Sequence, residues 1–430
     1  MKKYLIFLSL LLTNLYFSQS ISPYEELING VKVIYYPVEN DVVVIKNILK
    51  GGVQKYSEKD AGIEDFALTA LSECGAGRKP KKEIKDKLQS LNARMYGMAG
   101  SGYSSFTLDF INSDFNEVWP LYTDALLKPD FNTDDFERMK NLKILQIDDT
   151  QASPEQSIMD FARQNVFAGT SEKISVTGTK KTIEKLTPKQ VQTYWQSHFN
   201  RNNVMIVVVG SITPEMKNSI KTLISKIPDG KKAVYNSEKI NTDKSRFYQN
   251  NRESATNYIN GYINAPEGKS ADRKAFIAAS WLFERDFNAL INEENGLSYY
   301  PGCEIRHGFI NHAALVVSSI DPAKVMELTH QLIDDRLKNG FTADQLRTIP
   351  YRGANILYLV NSYGNSAVAE RLAEYELFNG GFRSFPEYYQ NLKSVNLQDV
   401  NRVFRKYFRN IQWVYEGKPG LVSEKDFLKN

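Results

Sequence analysis

The chain has 430 residues, a length that predicts about two to four domains. Apolar residues make up 42% and charged residues 24% of the chain, which excludes bulk disorder because such a sequence can bury a core. The formal net charge is only +4, and basic residues are interleaved with acidic ones, so the composition predicts no nucleic-acid partner.

Residues 1–20, MKKYLIFLSLLLTNLYFSQS, have the features of a secretory signal peptide. Lys2 and Lys3 form a positively charged start, residues 4–12 are mostly apolar, and Ser18 and Ser20 give a small-x-small site. The apolar run is short for a membrane span, and no other segment approaches about 20 unbroken apolar residues. The sequence therefore predicts an exported protein, periplasmic or secreted, with no membrane span in the mature chain. The alternative is a buried N-terminal helix.

The first half, residues 21–227, has the pattern of an α+β domain. Its opening runs VKVIYYPV and VVVIKNILKGG predict two adjacent strands. Helical spacing of apolar residues predicts a helix over 61–72, and further helices are predicted over about 133–149 and 154–166. Ser153 is a plausible cap for the last of these.

Residues 228–256 are polar, charged and poor in large aliphatic side chains, which predicts a linker. The second half, residues 257–430, repeats the scheme of the first. The strand NYINGYINA precedes a helix over about 272–292, and the strand AALVVSSI precedes a helix over about 322–338.

An internal repeat supports this division. The segment LTPKQVQTYWQSHFNRNNVMIVVVG starts at Leu186, and VNLQDVNRVFRKYFRNIQWVYEG starts at Val395. In each copy a helix ending in aromatic residues is followed by a polar turn, an apolar strand and a Gly. The sequence therefore predicts two homologous sandwich-like halves, each a mostly antiparallel sheet covered by helices, in a clam-like α+β chain.

The order of these elements resembles that of the pitrilysin/insulinase family of inverted-zincin metallopeptidases. The matching features are a two-strand start, Gly51-Gly52, the helix after Gly62-Ile63, and the segments TGTKKTIEKLTPKQVQTYW, FNRNNVMIVVVG and NGLSYY. The resemblance covers nearly the whole mature chain and is strongest to short, two-domain members that work as paired chains.

Active members of that family carry His-x-x-Glu-His on the first helix, where the two His bind zinc and the Glu activates water. In this chain the first His position falls on Asp65, the Glu position on Leu68 and the second His position on Thr69. A further Glu of the family, from the long helix, falls near Leu145. Zinc needs three protein ligands, and only Asp65 of these four offers one. The sequence therefore predicts no metal and no catalytic residue at this site.

Neighbouring residues do not restore the ligand set. Glu64 is one position from Asp65 and so faces another side of a helix, and Glu73 lies two turns away. The chain has only four His, at positions 198, 307, 312 and 330, and none stands at zincin spacing from a carboxylate. Cys74 and Cys303 lie in different halves; two buried free thiols are favoured over a disulfide, which an exported protein would permit.

The resemblance implies a partner. In paired-chain members the zinc-free chain lends an Arg and a Tyr from its second half to the partner's site, where they stabilise the developing oxyanion. Here the Tyr position is Tyr299, and the Arg position is Asn292, which carries no charge. Arg285 and Arg306 are the candidates to replace the missing charge.

Three function classes follow. The first is a non-catalytic subunit of an exported zinc metallopeptidase heterodimer, which helps to enclose and bind unfolded peptides. Its partner would carry the His-x-x-Glu-His motif and the zinc. The second is a stand-alone peptide-binding or scaffold protein on the same fold. The third is a peptidase that uses unconventional residues.

Overall fold

The computed structural model describes residues 22–428. The predicted leader, residues 1–20, lies outside the described residues. The strands within the described residues are β1 (Tyr24–Ile28), β2 (Val31–Pro37), β3 (Val42–Lys50), β4 (Gly75–Ala76), β5 (Arg94–Met98), β6 (Tyr103–Ile111), β7 (Pro129–Asp130), β8 (Val204–Gly210), β9 (Arg246–Asn251), β10 (Asn257–Asn264), β11 (Gly302–Arg306), β12 (His312–Ser319) and β13 (Gln412–Gly417).

The α-helices are α1 (Ile63–Glu73), α2 (Lys81–Ser90), α3 (Phe115–Leu127), α4 (Thr133–Ala152), α5 (Pro154–Asn165), α6 (Lys180–Glu184), α7 (Pro188–His198), α8 (Pro214–Lys226), α9 (Arg273–Asn288), α10 (Pro322–Asn339), α11 (Ala343–Leu346), α12 (Ile349–Ser362), α13 (Asn365–Phe378), α14 (Tyr388–Lys393), α15 (Leu397–Tyr407) and α16 (Glu424–Phe427). A π-helical segment, Ala289–Glu294, continues α9. No helix within residues 22–428 combines the length and apolarity that a membrane crossing needs.

Two mixed sheets carry the fold, one in each half of the chain. The first has the order β1-β2-β8-β3-β6-β5 and the second the order β11-β12-β10-β13-β9. In each sheet one neighbouring pair is parallel, β2 with β8 and β9 with β13, and the other neighbours are antiparallel. The predicted α+β class with two similar halves is confirmed. The prediction that β2 and β3 are adjacent is wrong, because β8 lies between them.

The internal repeat corresponds to equivalent elements. Helix α7 leads into β8, and α15 leads into β13, and both strands lie inside their sheets. Thr187 and Gln190 form a capping box at the start of α7, and Asn396 caps α15 by accepting a hydrogen bond from the Asp399 amide. Every residue of β8 and of β13 is buried, as expected for strands covered on both faces.

The polar segment 228–256 is not irregular throughout. Residues Arg246–Asn251 form β9, an edge strand of the second sheet, in parallel register with β13. The strand's polar composition fits its position, because an edge strand has neighbours on one side only. By its place in the sheet, β9 is the counterpart of β2. The division into domains at 227 and 257 stays a prediction.

Each half has its own large core, and each also covers the other half's sheet. Helix α5, from the first half, packs on the second sheet through Ile158 and Ala162, and Phe167, just after the helix, belongs to the same cluster. Helix α13, from the second half, packs on the first sheet through Leu372 and Ala373. The two halves therefore exchange one helix each and form a continuous packed structure.

Polar contacts join the exchanged helices to the sheets they cover. The buried ammonium of Lys46 on β3 pairs with Glu370 on α13, which also accepts a hydrogen bond from the Tyr103 hydroxyl. In the second half, the Ser157 hydroxyl on α5 donates to Glu416 on β13 over 2.8 Å. Both contacts satisfy a charged group that is buried on the covered face of a sheet.

Candidate functional site: the first helix and its missing metal ligands

Helix α1 begins after Gly62, which has a positive φ of 89° that favours glycine. Its predicted apolar face is buried, with Ile63, Phe66, Ala67, Ala70 and Leu71 all in the core of the first half. Packing against the core of the first half therefore positions this helix.

The first His position, Asp65, is occupied by an ion pair. The ammonium of Lys143 on α4 contacts the Asp65 carboxylate, and both side chains are mostly buried, with 16% and 17% of their surface exposed. Helix α4 is the element from which the family's distal Glu ligand would come. A protein cation therefore sits against the one carboxylate that a metal ion would need.

The other two motif positions offer nothing to a metal. Leu68 is 1% exposed and packs into the core. It also lies against β5, where a Cβ on Gly97 would come within 2.6 Å of the Leu68 Cβ. The Thr69 hydroxyl donates to the Asp65 carbonyl over 2.8 Å, a side-chain-to-backbone bond one turn back along the helix.

The fourth position, Leu145 on α4, is 59% exposed. The residue of α4 that reaches the motif is Lys143, two positions earlier, and the sequence reasoning missed it. The signal was present in the segment NLKILQI: a long basic side chain two residues from the expected ligand position, on the helix expected to face Asp65.

These residues do not fit the zinc ion that active members of the family bind through the His-x-x-Glu-His motif. Zinc requires deprotonated donors that are free to bind it, and the Asp65 carboxylate is already paired with Lys143. Within residues 22–428 no three His, Cys, Asp or Glu side chains come together in a way that could hold a metal ion. No catalytic step is therefore derived through zinc in this chain.

Glu64 faces a different side of α1 from Asp65, as predicted, and its carboxyl has different partners. It is 1% exposed and accepts hydrogen bonds from the hydroxyls of Ser104 and Tyr194. Burial raises the pKa of Glu64 to about 7, although these two hydrogen bonds and the nearby Lys55 charge favour the ionised form. Glu64 is thus a buried, titratable carboxyl that is held by its neighbours and not offered to a metal.

The four His residues serve packing and local hydrogen bonds. His198 stacks on Tyr194 with ring centroids 4.1 Å apart. His307 accepts from the Arg273 guanidinium, with 2.8 Å between Nη2 and Nε2. His312 is buried against Phe167, and His330 lies against Trp413 with a contact to the Asp426 carbonyl.

The two predicted substrate-binding residues are close together. The Asn292 side-chain amide, in the π-helical segment, donates to the Tyr299 carbonyl over 3.1 Å. The Tyr299 ring is 74% exposed and packs edge-on against Tyr300. Their role in substrate binding stays a prediction.

Neither Arg that was named as a substitute is free. Arg285 pairs with Asp286 over 2.9 Å, and Arg306 pairs with Glu304 over 2.5 Å. Cys74 and Cys303 are both buried free thiols, so the favoured expectation is confirmed. Burial raises the pKa of the Cys74 thiol to about 12 and also raises that of Cys303, which makes both poor nucleophiles.

Comparison with known sequences identifies similar proteins. The family described as "Peptidase M16 inactive domain" matches residues 185–349. The uncharacterized zinc protease YmxG of Bacillus subtilis is 19% identical over 393 residues, which cover 88% of this chain and 94% of YmxG. Core protein I of the mitochondrial ubiquinol-cytochrome-c reductase complex of Euglena gracilis is 18% identical over 185 residues. That match covers 43% of this chain and only 37% of core protein I.

Solved structures show the same fold. The peptidase M16 inactive domain from Pseudomonas fluorescens superposes with a TM-score of 0.83 at 15% identity, over 94% of this chain and 99% of that one. The periplasmic protease PqqL of Escherichia coli gives 0.76 at 17% identity, over 95% of this chain but 49% of PqqL. The first half of PqqL alone gives 0.75, with 94% of that chain covered. One chain of this length thus corresponds to half of PqqL.

Proposed function

We propose that this chain, which is similar to the pitrilysin/insulinase (M16) peptidase family and has other residues at the predicted metal-motif positions, is the non-catalytic subunit of an exported zinc peptidase heterodimer. The single observation that carries the loss of catalysis is the Lys143–Asp65 ion pair at the motif. The partner supplies the His-x-x-Glu-His motif and the zinc. The chain described here helps to enclose and bind an unfolded peptide.

The relation to PqqL supports the paired arrangement. In PqqL a unit similar to this chain makes up about half of a longer polypeptide. We infer that a second unit of this kind, supplied by another chain, completes the pair here. PqqL is a periplasmic protease, which together with the predicted leader supports an exported location for this chain.

Exposed apolar side chains on α12 support a contact with another molecule. Tyr351 and Tyr358 are seven residues apart on this helix, so they share a face, and they are 68% and 72% exposed. Tyr363 follows the helix and is also exposed. Tyrosine is enriched where proteins bind one another, and large exposed apolar groups mark such surfaces.

A free strand edge supports peptide binding. Strand β5 is the terminal strand of the first sheet and pairs only with β6 among the described residues. It lies against α1 through Gly97 and Leu68. An extended peptide can add to such an edge through main-chain hydrogen bonds, with little dependence on its sequence. This mode suits an unfolded substrate.

The test is to isolate the tagged chain from the exported fraction of its native host and identify what is bound to it. We expect a similar-sized chain with a His-x-x-Glu-His motif at close to one-to-one stoichiometry. The variant Tyr351→Asp/Tyr358→Asp should lose that partner. The control Leu27→Asp, at an equally exposed apolar residue on β1, should keep it. Recovery of the wild-type chain alone would contradict the heterodimer.

A stand-alone peptide-binding protein is the second candidate function, and one observation favours it. The family's Arg position is Asn292, whose amide is used in a bond to the Tyr299 carbonyl. The Asn292 amide is uncharged and already donates a hydrogen bond within this chain, so it is poorly suited to stabilise an oxyanion in a partner's active site. Binding of unfolded peptides by the isolated chain, with no partner recovered from the host, would support this candidate.

A further inference from the structure

A cavity of about 340 Å³ lies between the two halves, away from the replaced motif. The end of β3, the segment 235–237, the loops 267–269 and 308–311, and the end of α13 surround it. Its size lies within the range of pockets that bind small molecules. It is formed only when the halves are packed together, because each half contributes part of its wall.

Asn311 lines this cavity and has an unsatisfied acceptor. Its side chain is only 9% exposed, and its Oδ1 has no hydrogen-bond partner within the described residues. The amide nitrogen makes one long contact, 3.4 Å from the Gly308 carbonyl. In this arrangement the Oδ1 atom has almost no accessible surface. A buried amide oxygen without a partner costs free energy, so a rotation of the Asn311 side chain toward the cavity would let a ligand N–H group satisfy it.

Lys50, at the end of β3, lines the same cavity, and its side-chain ammonium is available to pair with an anionic ligand. Its ammonium forms no hydrogen bond or ion pair with any residue in the range 22–428. Burial lowers the pKa of Lys50, and the nearby charges of Lys232 and Lys32 lower it further, whereas Glu376 acts in the opposite direction. An anion at this position would relieve the cost of holding the ammonium there.

The acidic residues of the cavity are already engaged. Glu376 pairs with Lys32, which lies outside the cavity lining. Glu267 accepts a hydrogen bond from the Ser237 hydroxyl over 3.1 Å. Lys50 therefore keeps its charge available to a ligand.

Aromatic rings form an apolar wall. Tyr235 and Phe309 stack with centroids 5.7 Å apart, and Phe378 meets Phe309 edge-on at 5.8 Å. The Tyr235 hydroxyl donates to the Lys50 carbonyl over 2.9 Å, so this wall is fixed to the strand that carries the cation. An apolar side chain of a ligand would pack against these rings.

We propose that this cavity binds the α-carboxylate end of an apolar amino-acid residue. The carboxylate pairs with the Lys50 ammonium, and the side chain packs on the aromatic wall. The Asn311 amide turns toward the cavity, where its Oδ1 accepts a hydrogen bond from the α-nitrogen. Such a ligand is either the C-terminal residue of a peptide or a free amino acid. Binding here requires neither the partner chain nor the strand edge at β5. The cavity proposal and the heterodimer proposal can therefore fail independently of each other.

Calorimetric titration of the purified chain tests the ligand chemistry. N-acetyl-L-phenylalanine should bind at millimolar concentrations, and N-acetyl-L-phenylalanine amide should bind at least about tenfold more weakly, because it lacks the charge that pairs with Lys50. L-Phenylalanine distinguishes the two sources. Weaker binding than the acetylated form assigns the site to peptide C-termini, and equal or tighter binding assigns it to free amino acids. Absence of binding by both carboxylates would overturn the proposal.

Variants test the two residues. Lys50→Met should weaken N-acetyl-L-phenylalanine binding by about tenfold or more, and Asn311→Leu should weaken it several-fold. Lys221→Met, at an exposed lysine on α8, is the matched control and should leave binding unchanged. If a variant fails to fold, the affinities of the wild-type chain for N-acetyl-L-phenylalanine and for its amide still show whether the site recognises a carboxylate. Equal affinity of the two ligands, or full affinity in folded Lys50→Met, would contradict the assignment.

Discussion

The ammonium of Lys143 on α4 pairs with the carboxylate of Asp65 on α1, at the position where the family's first His would bind zinc. At the predicted motif positions the one carboxylate is thus paired with a positive charge from the chain itself. The pair links the two helices that the metal would otherwise link. It explains how the arrangement of α1 and α4 persists without an ion.

The Lys143–Asp65 pair should stabilise the fold by a measurable amount. We expect Lys143→Met, Asp65→Asn and the double variant to give a coupling free energy of about 1–3 kcal/mol in a double-mutant cycle, since the pair is mostly buried. Urea unfolding measures it. The exposed pair Lys180–Asp148, 3.2 Å apart, is the control and should give under about 0.5 kcal/mol. A similar small value for both pairs would show that Lys143 has no special role.

Lys143 should also oppose metal binding when the ligands are restored. We expect Asp65→His/Leu68→Glu/Thr69→His to bind zinc at least about tenfold more weakly than the same triple variant with Lys143→Ala, because an adjacent ammonium repels the ion. Equilibrium dialysis with zinc measures the difference. The control combines the triple variant with Lys140→Ala, on the same helix, in place of Lys143→Ala. Equal zinc affinity with and without Lys143 would refute the repulsion.

Glu64 should make stability fall as the pH rises. Its folded-state pKa is raised by burial to about 7, against about 4.3 in an unfolded chain. Between these values the folded state keeps a proton that the unfolded state has released, so the free energy of unfolding decreases with pH and the stabilisation is lost above about pH 7. Glu64→Gln should remove up to about 3 kcal/mol of this decrease.

Denaturant unfolding at several pH values from 4 to 8 checks the prediction about Glu64. Glu184→Gln, at an exposed carboxyl on α6, is the control and should follow the wild-type profile. Parallel profiles for the wild type and Glu64→Gln would mean that the Glu64 carboxyl titrates normally despite its burial.

The Lys46–Glu370 pair should hold the two halves together. Glu370→Gln leaves the ammonium of Lys46, which is 2% exposed, without its counter-charge on α13. We expect a loss of about 2 kcal/mol, below the value for a fully buried pair because Glu370 is one-third exposed. Thermal unfolding measures the loss. The control is Glu387→Gln, an exposed carboxyl beyond α13. An unchanged melting temperature for Glu370→Gln would contradict the prediction.

Tyr299 should matter to the activity of the proposed heterodimer, and Tyr300 should not. Both rings are exposed to a similar degree, but only Tyr299 stands at the family's position. Tyr299→Phe removes one hydroxyl donor, so we expect kcat/KM of the reconstituted pair to fall about tenfold or more. Tyr300→Phe is the matched control. Asn292→Arg should raise kcat/KM, because it restores a charge next to Tyr299. Equal activity of all three variants would assign these residues no part in catalysis.

The sequence was sufficient to predict the family resemblance and the fold class, and both are confirmed. The repeat of helix, turn, buried strand and Gly was visible because β8 and β13 are both fully buried inside their sheets, which restricts both strands to apolar residues at most positions. The strand order was harder to predict. Periodicity identifies a strand but not its neighbour, and β8, more than 150 residues from β3, pairs between β2 and β3.

The candidate site was only partly predictable for a similar reason. The chemistry of Asp65, Leu68 and Thr69 alone predicts that they do not bind zinc, and this stays a prediction. The Lys143 contact depends on the rotation of α4 about its axis, which a shift of two residues changes by more than half a turn. The unsatisfied Asn311 oxygen has no sequence signal at all, since it arises from the packing of one half against the other.

The exchange of α5 and α13 between the halves has a consequence for biosynthesis. The face of the first sheet that carries Ile34 and Val44 is covered by helix α13, whose residues follow β8 by more than 150 positions. At about 5–20 residues per second, a ribosome needs about 10–30 s to reach α13 after β8 is made. During that interval an apolar sheet face is exposed, so the nascent first half is prone to aggregation until α13 has been made.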